Sequence, residues 1–335
     1  MTPATPGAVC IVGTGAYLPA RVLTNAELEK MVETSDEWIA SRTGIRQRHI
    51  AAADEATSDM SAIAAQRALD AAGVEAMEVD LIVVATVTPD MPFPSTACFV
   101  QKKIGARKAF CFDIEAACSG FVYALDVGYR FLATGGAKTA LIIGGEKLSS
   151  VTDWQDRTTC VLFGDGAGAV VLQTRKTGRG IIGTVAGSDG TLANLLQIPG
   201  GGSRHPSSAE TIDKRLHFLK MQGNEVFKHA VRCMCDAAQQ VLDRHGLKVE
   251  DVKWVIPHQA NLRIIQAIAQ RLGVGIERFC VNLDQVGNMS SASIPVALDE
   301  AVRAGRIQHG DLMLFVAFGG GFTWGATLLE WHHGK

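Results

Sequence analysis

Four positions scattered along the chain could together carry covalent acyl transfer. Cys118 sits in the stretch FDIEAACSGF, where an apolar run ends and small residues open a new helix. A thiol placed there can use the unpaired N–H groups of a helix N-terminus, which favour the thiolate and lower its pKa. His258 in VIPHQAN and Asn288 in VGNMSSAS supply an imidazole and a carboxamide, the polar groups a reactive sulfur needs nearby. The glycines of AFGGGF around Gly320 offer backbone N–H groups that a substrate can approach closely, because glycine has no Cβ. Each position alone has a plain structural reading: a packed thiol, a hydrogen-bonded core histidine, a turn after Gly287, a tight glycine bend. Together they read as a covalent acyl-transfer site.

The elements that would bring such distant residues together show as an internal repeat. AAQRALDAAG from Ala64 matches AAQQVLDRHG from Ala237, an offset of 173 residues. The same offset carries Ala124-Leu125-Asp126 onto Ala297-Leu298-Asp299. In both halves a helix of this kind precedes an apolar strand, DLIVVAT (80–86) and DVKWVIPH (251–258). Further helices end at Gly105 and Gly273, short strands follow at 109–114 and 278–283, and a small-residue turn then leads into another helix. Each half closes on a strand that runs into glycines, 139–146 and 311–321, and the first strands, 9–15 and 180–187, also correspond.

Short apolar runs without alternation, separated by helices, predict central strands covered on both faces. The expected fold is therefore α/β: two similar halves, 1–174 and 175–335, packed as layers about a pseudo-twofold. Their joint falls near RKTGRG (175–180), a polar, glycine-containing segment. Cys118 and Asn288 then lie at matching turns, and His258 lies at the carboxyl end of a strand, where open α/β sheets bind ligands.

Composition narrows the remaining choices. Hydrophobic residues make up 47% and charged residues 20%, with a formal net charge of -2, which gives no electrostatic case for nucleic acid. No apolar stretch reaches membrane-spanning length, and MTPATPGAVCIVG lacks the basic flank and apolar block of a signal peptide, so a cytoplasmic location is expected. The eight cysteines are scattered without a C-x-x-C pair, so all but Cys118 read as buried, reduced thiols, and no metal is expected. GTGAYLP begins like a dinucleotide loop but has Leu18 where the third glycine should stand, which leaves a nicotinamide oxidoreductase with little support. GDGAGA (164–169) reads as small residues permitting tight packing, and no G-x-S-x-G string supports a serine hydrolase.

Seven segments, in order, carry a family resemblance. They are GTGAYLP (13–19), SDEWIASRTGIRQRH (35–49), AACSGF (116–121), DRTTCVLFGDGAGA (156–169), PHQANLRI (257–264), the Asn288 turn and FGGGFTWG (318–325). With them the chain resembles the thiolase superfamily, and most closely the β-ketoacyl-acyl-carrier-protein synthase III family that starts type II fatty acid synthesis. The resemblance implies a five-layered αβαβα fold, a homodimer and a Cys118–His258–Asn288 triad. It also implies an oxyanion hole of the Cys118 and Gly320 N–H groups. An acyl-coenzyme A primer, acetyl-coenzyme A by default, and malonyl-acyl carrier protein would be substrates, with no cofactor. Coenzyme A would meet Trp38 and Arg157 at its adenine, Arg42 and Arg263 at its phosphates and Asn261 along the pantetheine arm. The acidic carrier protein would dock on Lys228, Arg263 and Arg271, and Phe93 would cross the dimer interface to shape the acyl pocket. A secondary-metabolism homologue that primes a polyketide, or an acyltransferase with the same triad, is the alternative. Primer length and branching depend on packing across a dimer and are not legible here.

Overall fold

The structure, a computed structural model, describes residues 7–176 and 178–332. Residues 1–6 of the segment read for a signal peptide, and Thr177 in the expected joint, lie outside the described residues. Strands β1 (Ala8–Tyr17), β2 (Leu81–Ala85), β3 (Phe110–Ile114), β4 (Thr139–Lys147) and β5 (Asp165–Arg175) form one sheet in the order β1-β5-β4-β2-β3. Strands β6 (Ile181–Ser188), β7 (Trp254–Pro257), β8 (Leu312–Gly319) and β9 (Thr323–Glu330) form a second in the order β7-β8-β9-β6. The two sheets meet the expected joint from either side, at Arg175 and Ile181. β2 runs parallel to β3 and β4, and β7 parallel to β8, so βα crossovers must cover both faces. That is why β2, LIVVA, is buried at every residue.

Six helices complete the layers: α1 (Thr57–Ala72), α2 (Thr96–Ile104), α3 (Gly120–Ala133), α4 (Gly223–Arg244), α5 (Leu262–Leu272) and α6 (Ser293–Arg303). α1 and α2 cover the outer face of the first sheet, and α4 and α5 cover the second. α3 and α6 lie between the sheets, where Phe121, Leu125 and Leu298 pack with Val83 of one sheet and Phe315 of the other. The result is the expected α-β-α-β-α stack. Gly105 and Gly273 end α2 and α5 in left-handed conformation, with φ of 76° and 71°, as a helix C-cap favours.

One sequence reading of an element changes. The segment 278–283 is not a strand; it keeps a single bridge, Phe279 to Val255, and then turns into the short helix Leu283–Val286. The apolar run is too short to hold an edge once Leu283 onward is drawn inward to carry the Asn288 turn. The glycines of GTGAYLP lie within β1, where a Cβ on Gly13 or Gly15 would come within 2.4 or 2.3 Å of carbonyl oxygens in α1. They permit close strand–helix packing, which accounts for the string without a nucleotide.

Candidate active site

The site forms where the ends of β7 and β8 meet the turns before α3 and α6. His258 directly follows β7, and its backbone N–H donates to Val316 of β8 at 2.8 Å, so the parallel pairing holds the residue past the strand's last named position. Beyond Val316, β8 ends at Gly319, where a Cβ would stand 2.5 Å from the Cys118 nitrogen. Only a glycine lets the strand end approach the cysteine's backbone so closely. Thr323 ties the two segments together: its hydroxyl donates to Ala116 O at 2.8 Å, and its carbonyl accepts from the Ser119 hydroxyl at 3.1 Å.

Cys118 lies in the single turn Ala117–Ser119 that runs into α3. Asn288 precedes the equivalent turn, Ser290–Ala292, that runs into α6. Its backbone N–H donates to Leu162 O at 2.9 Å, and its carbonyl accepts from Gly164 N at 3.0 Å, so the DRTTCVLFGDGAGA segment fixes it from both sides. The side-chain Oδ1 accepts from Ser290 N at 2.9 Å. With the carbonyl end so occupied, the NH₂ end of the amide is the one left to donate. Ala117 and Ser290 are two of only three non-glycine residues with positive φ among those described, at 47° and 45°. Such strain persists only where surrounding structure enforces it, and here both sites flank the cavity.

Cys118, His258, Asn288 and Gly320 all line one cavity of about 1380 Å³. Leu148, Val161, Leu162, Phe163 and Phe318 add apolar wall around them. Burial pushes the Cys118 thiol up to about 12, against opposing contributions from the Ser290 hydroxyl and, less, from its own backbone N–H, although the residue is only half-buried where the cavity opens. The expectation of a depressed thiol is therefore corrected. Desolvation of a charged sulfur outweighs the helix terminus, whose first turn offers few free N–H groups. His258 is 2% exposed, its Nδ1 has no hydrogen-bond partner, and burial lowers it to about 3. At neutral pH the site rests as neutral thiol and neutral imidazole, both able to donate hydrogen bonds.

Stability should report this state. His258 has its pKa depressed from an ordinary 6.5, so the stability it contributes is present above pH 6.5 and lost as pH falls toward 3, at about 1.4 kcal/mol per pH unit. His258→Gln should flatten the fall in melting temperature between pH 6.5 and 4. An unchanged slope would show the acid sensitivity to lie elsewhere.

Trp38, Arg42, Asn261, Arg263 and Lys228 line the same cavity, and the two arginines and Lys228 are exposed. The Arg42 and Arg157 guanidinium carbons lie 5.1 and 4.9 Å from the Trp38 ring centroid. The flat groups thus stack on each other, so a purine entering between Trp38 and Arg157 would have to displace one of them. Asn261 caps α5 by accepting from Arg263 N at 2.8 Å and donates one amide N–H to Arg42 O at 3.1 Å. These two contacts hold Arg42 and Arg263 on one rim. Arg271 pairs with Asp236 at 3.0 Å and does not line the cavity, while Lys228 pairs with Glu225 at 2.8 Å and does. Phe93 is 85% exposed and lies outside the cavity of its own chain, whose wall its neighbour Pro92 reaches.

A family model described as 3-oxoacyl-[acyl-carrier-protein (ACP)] synthase III matches residues 112–190, and its C-terminal counterpart matches 242–331. A β-ketoacyl-[acyl-carrier-protein] synthase III of Desulfitobacterium hafniense (strain DSM 10664 / DCB-2) is 55% identical over 323 residues, covering 96% of this chain and 98% of the relative. The chain belongs to the β-ketoacyl-[acyl-carrier-protein] synthase III family. The synthase superposes on the crystal structure of 3-oxoacyl-[acyl-carrier-protein] synthase III from Aquifex aeolicus VF5 with a TM-score of 0.91 at 48% identity, covering 97% and 100% of the two chains. The priming β-ketosynthase from the R1128 polyketide biosynthetic pathway gives 0.91 at 36%, covering 99% and 98%. The synthase is thus a condensing acyltransferase with the thiolase fold.

Sequence reasoning missed several residues of the site. Ser290 is buried beside Cys118, and the walls at Leu196, Ile198 and Gly200–Gly202 come from a glycine-rich loop that no motif singled out. Buried Glu146, behind the cysteine, was hidden in the run IIGGEK, read only as a strand end. Extending the 173-residue offset to that run would have exposed it. No group of three or more metal-ligating side chains occurs among the described residues, and no described helix is long and apolar enough to cross a membrane.

Proposed function

We propose that the synthase loads a short acyl group from acyl-coenzyme A onto Cys118 and condenses it with a malonyl unit carried by an acyl carrier protein. In the first half, the Cys118 sulfur attacks the thioester carbonyl. The carbon–sulfur bond to coenzyme A breaks, and the thiol proton leaves through His258 to the departing coenzyme A thiolate. A neutral imidazole fits that duty, since it can accept the proton and return it. The tetrahedral oxyanion would be held by backbone N–H groups of Cys118 and Gly320.

In the second half, malonyl-acyl carrier protein loses carbon dioxide, and His258 and Asn288 donate hydrogen bonds to the enolate's thioester oxygen. The enolate carbon bonds to the acyl carbon, and the Cys118 thiolate leaves and takes up one proton. The product is a 3-oxoacyl-acyl carrier protein. Decarboxylation generates the carbanion, so no base need remove a carbon-bound proton. The apolar wall helps, because the malonyl carboxylate loses its charge as it leaves as carbon dioxide.

One observation carries this reading: thiol, imidazole and carboxamide line a single cavity whose exposed rim bears Trp38, Arg42 and Arg263. Arginine forks suit phosphate, and a flat stack suits adenine. Lys228, Arg263 and Arg271 would meet the acidic carrier protein, with Arg271 released from Asp236 on docking. Phe93, Met91 at 43% exposure and Phe110 at 44% on the edge strand β3 are exposed apolar side chains of the kind a second copy would cover. The homodimer and the division into halves 1–174 and 175–335 belong to this proposal. So does a cytoplasmic location, which suits eight free thiols.

The test is reconstitution with purified malonyl-acyl carrier protein and a panel of primers, acetyl against short branched acyl groups. We expect 3-oxoacyl product, carbon dioxide and coenzyme A in equal amounts, with acetyl preferred. The resemblance to the R1128 priming enzyme supports a second reading, a polyketide-priming role, which a preference for longer primers or a different carrier would favour. No turnover with any primer would overturn both.

A further inference from the structure

The duplication leaves one polar cluster that neither half-reaction uses. Carried through β4 and β8, the 173-residue offset sets Ser291 opposite Cys118, Glu146 opposite Gly319 and Ala85 opposite His258. The positive φ values of Ala117 and Ser290 fall at equivalent positions in the same frame. Where the Cys118 turn of one half sets a thiol against a glycine of the other, the equivalent Ser291 turn sets a hydroxyl against a buried carboxyl group. Glu146 is 0% exposed, and Ser291 is 1% exposed.

The hydrogen bonds around Glu146 are lopsided. Oε2 accepts from the Thr88 hydroxyl at 2.7 Å, from Val87 N at 3.1 Å and from the Thr86 hydroxyl at 3.2 Å. Both threonine hydroxyl protons are free for this, because their oxygens accept from Lys147 N and Thr88 N. Oε1 meets only the Ser291 hydroxyl, at 2.9 Å, and that hydroxyl also lies 2.8 Å from Ala85 O. A hydroxyl carries one proton and a carbonyl carries none. Two short contacts at Ser291 are both satisfied when its proton goes to Ala85 O and Oε1 carries a proton of its own.

The surroundings agree. Burial raises the Glu146 carboxyl, and no cation faces it. Lys147, next on β4, turns its ammonium to the carbonyls of Ala52, Ala53 and Glu55. Asp165 of β5 is bound to Ala51 N and to Ser149, and Asp299 of α6 to Thr14 and Arg303. The titratable group that faces Glu146 is Cys118, and an ionised Glu146 would push that thiol up. The buried Ser290 hydroxyl, which makes no well-aligned hydrogen bond, lies near both and opposes the rise of each.

We propose that Glu146 remains a neutral carboxylic acid and serves as a positioning residue. Its O–H holds Ser291, and through Ser291 the turn that presents Asn288, without setting a negative charge behind the cysteine. This rests on the reading of Cys118 as the acylated residue and Asn288 as a donor.

Glu146 is the only glutamate buried among the described residues, so infrared spectroscopy of wild-type protein with ¹³C-labelled glutamate isolates it. A glutamate carboxylic-acid C=O band that persists at pH 8 is expected; its absence would overturn the proposal. Glu146→Gln keeps a donor for Ser291 and an acceptor for the three donors on the other side. It should retain condensation within about threefold and leave the pH midpoint of Cys118 alkylation in place. Glu146→Ala should lose condensation about tenfold or more, with acylation less affected. A midpoint lowered by about one unit in Glu146→Gln would mean the group was ionised. Full condensation in Glu146→Ala would remove the positioning role. Should wild-type acylation map to another cysteine, the nucleophile reading fails by itself, and the infrared band still decides the protonation state.

Discussion

Asn288→Ala should still accept an acyl group on Cys118 but should decarboxylate malonyl-acyl carrier protein about 10²–10³-fold more slowly. That factor is the usual loss when one preorganised donor to a developing oxyanion is removed, about 2.7–4 kcal/mol of barrier. The split follows from which atoms Asn288 can offer. Its carbonyl is held by Ser290 N, its backbone by Leu162 and Gly164, and only the NH₂ end can meet the enolate oxygen. Acyl transfer from coenzyme A places its oxyanion at backbone N–H groups instead, so it should survive the substitution. Intact-mass measurement of acylation and carbon dioxide release, made on the same preparation, separate the two steps. Equal loss of both would assign Asn288 to the first half-reaction as well.

Cys118→Ala should abolish acylation and condensation altogether, leaving the fold and its melting temperature nearly intact. The residue is half-buried at the cavity floor, and a smaller side chain there opens space towards solvent rather than a sealed void. Malonyl decarboxylation without condensation should persist in this variant, because His258 and Asn288 stay in place. Near-normal product formation would show that another of the eight cysteines, or no covalent step, carries the reaction.

Much of this site was legible in sequence because its chemistry sits in motifs that are also structural punctuation. PHQAN marks the end of β7, AACSGF the entry to α3, and the glycines after VAF the end of β8, so element boundaries and candidate site residues coincide. The layers were legible because central strands such as LIVVA carry no alternation. Three things were not legible, each for a physical reason. The thiol's ionisation was misjudged, since burial depends on walls contributed by residues 148, 161–163 and 318, which no local pattern near Cys118 reports. That Asn261 also caps α5 and holds Arg42 was not visible, because the second contact joins residues far apart in sequence. The strand expected at 278–283 failed because six apolar-leaning residues state a propensity, and tertiary demand for the Asn288 turn overrode it.

The repeat locates the fold's two turns, and it also shows how one of them was filled in. Ser291 and Glu146 are the pseudo-twofold counterparts of Cys118 and Gly319, and Gly144 leaves β4 close enough to meet Ser291, since a Cβ there would lie 2.3 Å from Ser291 O. A duplicated scaffold with a single reactive sulfur needs its second turn made rigid rather than reactive, and a fully bonded carboxyl group does that.

The most direct measurement is peptide-resolved mass spectrometry of the wild-type protein after brief exposure to acetyl-coenzyme A alone. An acetyl thioester on the peptide containing Cys118, chased off by malonyl-acyl carrier protein with release of carbon dioxide, is the expected result. A thioester on a different cysteine, or a Cys118 adduct that malonyl-acyl carrier protein leaves untouched, would contradict the central claim that this sulfur is the acyl carrier of the reaction.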